Sequence, residues 1–596
     1  MTTTLRATAL LHYLWFPAAV FAVDGSVPEL VDQYIHEWQS FAPSAAFSEG
    51  FVAALFDYED LSPQAITEWI AFNQATLDRL QNLSDLDRDD IIDRRLLRTQ
   101  ILKELDRWSY ERQQETSLEL YSRLIADALE PVLDSPVLST TEKARILLDR
   151  LAKIEALATH AEAMLRDGRR ASMEEALESL AESARFIETD FPDVAAGYYS
   201  QSDLDALNLG ATAASSAIRQ LANHVETELL PSLTLPDEPI LGRELYARKL
   251  AIYTDSGLTP ERLEEMALAE IAASKQTLEE MARAYWREID PLTPVPNDFE
   301  TLVGRAFDDM ENNRPTDEQS YLLELREYGR EVMEFVRGHD IATVPEHQTL
   351  SIELAPPSSG PMARIGYVDS APPFDPNPWT TWYLATIPDS YPDQERIDFW
   401  RSFNYSFKRF IVIHELFPGH YMQLKILRGN PHKIRILFPY RPFIEGWATF
   451  TERIVLDAGY AEGDWLTRFA QVRKRLENAN RALMSVRAHC QGWSEAQVTE
   501  YSIETSLLAP QFAASLWGRL MRSPMQIITY MLVGIELREI YESEVERLGD
   551  NFDLKGFMDT ILRAGPVPSD ELRAILDSVL EPALITHPAS SSSPQS

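Results

Sequence analysis

The run His414-Glu415-Leu416-Phe417-Pro418-Gly419-His420 sets a histidine–glutamate pair ahead of a second histidine, and Glu445 follows in the next helix-patterned segment. Two imidazoles and one carboxylate are the ligands that a hydrolytic zinc takes, with a fourth position left open. Glu415 then remains as a free carboxylate beside the site, able to take a proton from water. The offset between the histidines is the difficulty. An offset of four stacks both rings on one helical face, whereas six residues of regular helix leave them about 240° and about 9 Å apart. Pro418 removes a backbone donor and Gly419 admits unusual dihedrals. The reading therefore requires a bulge or broken turn between His414 and His420.

The elements that must carry these groups are helices. Phe399, Phe403, Phe407, Phe410 and Ile411 recur at helical spacing and extend the stripe to His414, which aims it inward. Pro442 opens a second helix whose apolar stripe is Ile444, Trp447, Ala448 and Thr451. Glu445 flanks that stripe, with Thr449 and Glu452 placed one or two turns on as supporting partners. Helical periodicity dominates from about residue 28 to 290: Ser139 and Glu142 are spaced as a capping box, and Thr259-Pro260 opens a further helix. Pro291, Pro294 and Pro296 interrupt the pattern, and Trp382 to Ile387, between Pro378 and Pro388, is strand-like.

The expected organisation is an apolar leader at 1–22, a helical region at 23–290, a metal-site helical region at 291–586 sharing the same core, and a disordered tail at 587–596. Residues 7–22 resemble a secretory signal ending in Val20-Phe21-Ala22, too short and too interrupted by His12 and Pro17 for a span. That predicts a periplasmic or secreted protein with no stable membrane span after cleavage. Lys and Arg number 55 against 93 Asp and Glu, a net charge of −38 that repels nucleic acid and anionic lipid. Cys490 is the one cysteine, so no intramolecular disulfide forms and any zinc must use histidine and carboxylate.

The segments HELFPGHYMQ and IEGWATFTE resemble the bacterial family catalogued as domain of unknown function 885, whose members carry His-Glu-x-x-Pro-Gly-His and then Glu-Gly-Trp-Ala. The resemblance extends through NPWTTWYLATIPDS, HCQGWSEAQVTEY and RSPMQIITYMLVGIELRE, covering roughly residues 360–570. It implies a mainly α fold, a large zincin-like helical body around a deep cleft with a small sheet or edge strand near 362–390. It also implies Zn²⁺ held by His414, His420 and Glu445, with Glu415 as general base. Pro524-Met525-Gln526 stands where the family often has Pro-Gly-Gln, a departure that bears on substrate fit.

His489, Tyr530 and Arg522 are the candidates to donate to an oxyanion. Tyr383, Ala385 and Thr386 could grip a peptide backbone if they lie on an edge strand. Together these features predict a zinc-dependent hydrolase, foremost a metallopeptidase, acting on a peptide or small amide. The rivals are hydrolysis of a non-peptide amide or ester, and a non-catalytic periplasmic binding protein with a structural metal. Glu415 argues against the last, because a structural site needs no free carboxylate.

Overall fold

The computed structural model describes residues 25–585 apart from 197, 198, 389 and 509, so the expected leader and tail lie outside the described residues. The described chain is helical with one small sheet. The local signals act as their chemistry dictates. Ser139 accepts from the Glu142 amide and Glu142 returns a bond to the Ser139 amide, starting the helix Thr140–Met164. Thr259 caps the helix Pro260–Ile289, whose proline occupies the first turn, where no intrahelical donor is needed.

One hydrophobic cluster runs from Val27 to Leu576 and joins both ends of the chain. A second gathers Tyr246 to Ala306 with Phe469 to Met531. The helices Pro260–Ile289 and Phe299–Asn312, on either side of Pro291 to Pro296, both pack on the long helix Trp465–Gln491. The proline-rich break thus turns the chain within a shared core.

The sheet consists of β1 (Leu350–Leu354), β2 (Tyr367–Ser370) and β3 (Thr380–Leu384), in the order β1-β3-β2. β3 runs parallel to β1 and antiparallel to β2, so Tyr383 is flanked by Glu353 and Tyr367. Beyond the strand, the Thr386 amide donates to Ala363 and the Ala355 amide to Leu384. This corrects the edge-strand expectation for Tyr383, Ala385 and Thr386: β3 is the middle strand, and its neighbours hold the backbone groups a peptide would need. Thr380 to Trp382, Leu384 and Ala385 are buried, the continuous pattern of an interior strand rather than the alternation of a half-exposed one.

The phenylalanine stripe is also split. The helix Asp393–Ser402 stops at Phe403, and Asn404 caps a new helix, Tyr405–Glu415, by accepting from the Phe407 amide. Phe407, Phe410, Ile411 and His414 share that second helix. It packs on the Glu445 helix (Arg441–Asp457) and on Trp465–Gln491, while the Glu445 helix lies along Thr529–Leu548. Gly446 permits that close approach, since a Cβ there would stand 2.3 Å from the Val533 Cβ. Trp447, fully buried, donates from its indole to the Pro418 carbonyl at 2.9 Å, tying the turn before His420 to the Glu445 helix. Burying such a ring contributes about 4–6 kcal/mol of transfer free energy.

Candidate metal centre

The His414 helix ends at Glu415 and the helix His420–Leu427 begins afresh, joined by Leu416 to Gly419 with a cis Phe417-Pro418 peptide. This is the broken turn that the six-residue offset demands. The Gly419 amide donates to the Ile413 carbonyl at 3.1 Å, folding the second helix start back over the first helix end. Only glycine fits, because a Cβ at 419 would lie 1.9 Å from the His414 carbonyl oxygen.

The two imidazoles consequently meet edge to face, with centroids 4.7 Å apart and planes at 85°. Glu445 closes the group: its Oε2 is 3.6 Å from His414 Nε2 and 3.4 Å from His420 Nε2. All three ligand atoms lie within 4.8 Å of one another. A tetrahedral ion with bonds of about 2.0–2.1 Å spaces its ligand atoms by about 3.3–3.4 Å, a spacing that the two distances from Glu445 approach.

The surroundings orient the ligands. Glu452, fully buried, lies 2.8 Å from His414 Nδ1, which leaves Nε2 facing Glu445. The Gln526 amide donates to Glu445 Oε1 at 3.2 Å and to the Tyr530 hydroxyl at 3.1 Å. Burial opposes a charged His414, yet hydrogen bonds to Glu445 and Glu452 outweigh it and push its pKa up to about 10. Burial likewise opposes a charged Glu445, but His414 and His420 hold it well below the usual carboxylate range. The cluster thus favours positive charge among its carboxylates.

Glu415 is partly exposed and, among the described residues, its side chain forms no hydrogen bond or ion pair. Its charge reaches His414 and the buried Lys408, whose pKa burial lowers to about 7 against the pull of Glu415. It is therefore a free carboxylate next to, and not within, the three-ligand group.

The other candidates divide. Tyr530 belongs to the site through Gln526, and burial, then the charge of Glu445, raises its pKa, so the phenol keeps its proton at neutral pH. Arg522 ends the helix Pro510–Arg522 with its side chain exposed, whereas Arg519, three residues earlier, lies within electrostatic reach of Arg481 and Tyr530. Arg481 stands 5.7 Å over the Tyr530 ring. His489 is buried elsewhere: Nε2 donates to the Leu520 carbonyl at 3.0 Å, and Nδ1 accepts from the Leu241 amide at 3.3 Å. Both nitrogens are used, so the ring has no proton to offer a substrate. Burial raises the Cys490 thiol to about 11, that of a packed and unreactive group. Arg481 escaped the sequence reading, which named Gln526 only within Pro524-Met525-Gln526 and gave it no role toward Glu445; the four-residue step from Gln526 to Tyr530 was the available signal for that role.

Fold and site together define a mainly helical protein in which a broken turn brings two histidines and a glutamate to one point. The chain belongs to the family described as bacterial protein of unknown function (DUF885), whose model matches residues 43–576. No curated protein matches it. It is similar to the solved structure of a candidate lipoprotein of unknown function from Shewanella oneidensis, with TM-score 0.80 and 20% identity over 93% of this chain and 100% of that one. A candidate lipoprotein from Colwellia psychrerythraea matches with TM-score 0.71 and 17% identity over 94% of this chain and 100% of that one. At these identities the likeness establishes a shared fold.

Proposed function

We propose that the protein is a zinc-dependent hydrolase, and foremost a metallopeptidase cleaving peptide amide bonds. One observation carries the reading: three ligand atoms of the right kinds converge within 4.8 Å while Glu415, next in sequence, stays unpaired. Zinc bound there would act as a Lewis acid toward a carbonyl and lower the pKa of water to about 7. Glu415 takes the proton of the attacking water and passes it to the leaving amine. The Tyr530 hydroxyl donates to the oxygen on which negative charge develops. Glu452 keeps His414 in the tautomer that presents Nε2, and Gln526 fixes the orientation of Glu445.

The protein works outside the cytoplasm in this reading. The signal-like stretch at 7–22 supports that, as does the description of both fold relatives as candidate lipoproteins. No described helix is long and apolar enough to cross a membrane.

Glu415→Gln tests the proposal. Removing a general base typically costs 10²–10⁴-fold in rate, about 3–5 kcal/mol of barrier. A peptide library identifies a substrate for the zinc-loaded parent; the variant is expected to lose that much activity while retaining one zinc per chain. Parent-like turnover by the variant contradicts the role of Glu415, and loss of zinc makes Glu415 a ligand.

A further inference from the structure

A cavity of about 280 Å³ opens between the amino-terminal helices and the start of the Glu445 helix. Lys103, Lys249 and Tyr253 line one wall, Arg441 and Met525 the other. Arg441 lies four residues before Glu445, a spacing that puts both on one helical face. Met525 adjoins Gln526, which bonds Glu445, and Tyr253 is within electrostatic reach of Glu445 and Tyr530. The cavity therefore lies beside the three-ligand cluster, and the amino-terminal half of the chain supplies much of its lining.

Its charges are unbalanced. The acids in the lining are already committed: Asp106 pairs with Arg248 at 2.7 Å and Lys249 at 3.3 Å, and Glu111 pairs with Lys249. The side chains of Lys103 and Arg441 form no hydrogen bond or ion pair among the described residues. The Lys103 ammonium sits 5.5 Å over the Tyr253 ring, and burial, then the charge of Arg441, lowers its pKa to about 8. Glu49, in the adjoining cavity, is within reach of the Arg441 charge but makes no ion pair with it. Lys103 is half-buried and Arg441 is exposed at the cavity mouth; Asp255 is within reach of the Lys103 charge but makes its ion pairs with Arg95 and Arg98.

We propose that this cavity receives a carboxylate of the substrate, paired with Lys103 and Arg441, while the bond to be cut reaches His414, His420 and Glu445. The inference rests on the hydrolase reading and names its substrate class: short peptides with an acidic group near the scissile amide. The guanidinium of Arg441 offers the planar fork that suits a carboxylate, and Lys103 adds a point charge. A terminal α-carboxylate and an acidic side chain share this chemistry.

The test measures binding to Glu415→Gln protein loaded with zinc, so that a bound peptide is not consumed. The probes are acetyl-Ala-Ala-Ala as free acid, the same peptide as carboxamide, and acetyl-Ala-Ala-Glu as carboxamide. The free acid, or the glutamate peptide if a side chain is the natural source, is expected to bind at least tenfold more tightly than the neutral amide. Adding Lys103→Met or Arg441→Met should bring all three within about twofold. Equal binding of the three probes by the starting protein, binding of none, or a preference that survives both substitutions overturns the proposal. Zinc content of the same samples separates the two readings: protein that discriminates acid from amide yet holds no zinc sinks the metal assignment and leaves the carboxylate pocket standing.

Discussion

Glu452→Gln probes the support of the His414, His420 and Glu445 cluster with little change of volume. Glu452 is fully buried, lies 2.8 Å from His414 Nδ1, and faces the Gln471 amide nitrogen at 3.4 Å. A glutamine there removes the anion that favours a protonated Nδ1. Its own amide must also turn a donor toward either His414 or Gln471, so one of the two contacts becomes donor against donor. Losing such a partner of a metal-ligating histidine typically costs 10–100-fold in metal affinity, about 1.4–2.7 kcal/mol. Full burial and the charge-assisted bond, by themselves about 1.5–3 kcal/mol, put the expected loss toward the upper end. The assay is competition for zinc against a fluorescent chelator at fixed pH, with circular dichroism to confirm the fold. The variant should still reach one zinc per chain at saturation, with a dissociation constant raised 10–100-fold. An affinity within twofold of the parent refutes the argument that Glu452 directs His414 Nε2 to the metal.

Gly419→Ala forces a Cβ against the His414 carbonyl, 1.9 Å away, so the turn must open; zinc binding should fail and stability fall by about 1–3 kcal/mol or more. Unchanged zinc content and melting temperature would refute the requirement for glycine. Glu536 is raised to about 7, by burial first and by Glu539 and Asp570 next, against the Ser569 hydrogen bond. An acid whose folded pKa lies above its unfolded value of 4.5 favours folding when protonated, and that stability is lost as pH rises through about 7. Glu536→Gln, which can still accept from Ser569, should therefore stabilise the protein by on the order of 2–3 kcal/mol at pH 8 and by almost nothing at pH 4. Equal melting shifts at the two pH values would contradict this.

The parts of the site legible in the sequence are those fixed by local chemistry. His414, His420 and Glu445 follow from ligand type, and the break between the histidines follows from the geometry of an offset of six. Glu452 follows from its place two turns after Glu445. What depends on packing between distant segments was not legible. Arg522 and Arg519 differ by less than one helical turn, and only the placement of their helix decides which one nears Tyr530. His489 looks like a candidate until the Leu241 amide and Leu520 carbonyl are seen to occupy its ring. The strand-like run read at 382–387 overlaps the strand Thr380–Leu384, but whether it lies at the edge or the middle of a sheet is set by β1 and β2. The shared cavity at Lys103 and Arg441 joins residues more than three hundred positions apart, beyond the reach of any spacing rule.

The central claim is that His414, His420 and Glu445 hold one ion while Glu415 stands free beside it. Diffraction from zinc-loaded crystals, recorded on both sides of the zinc absorption edge, tests it directly. The account predicts a single anomalous peak about 2.0–2.2 Å from His414 Nε2, His420 Nε2 and a Glu445 oxygen, with Glu415 outside the coordination sphere. A peak elsewhere, no peak from protein that is fully loaded in solution, or Glu415 among the ligands would contradict it.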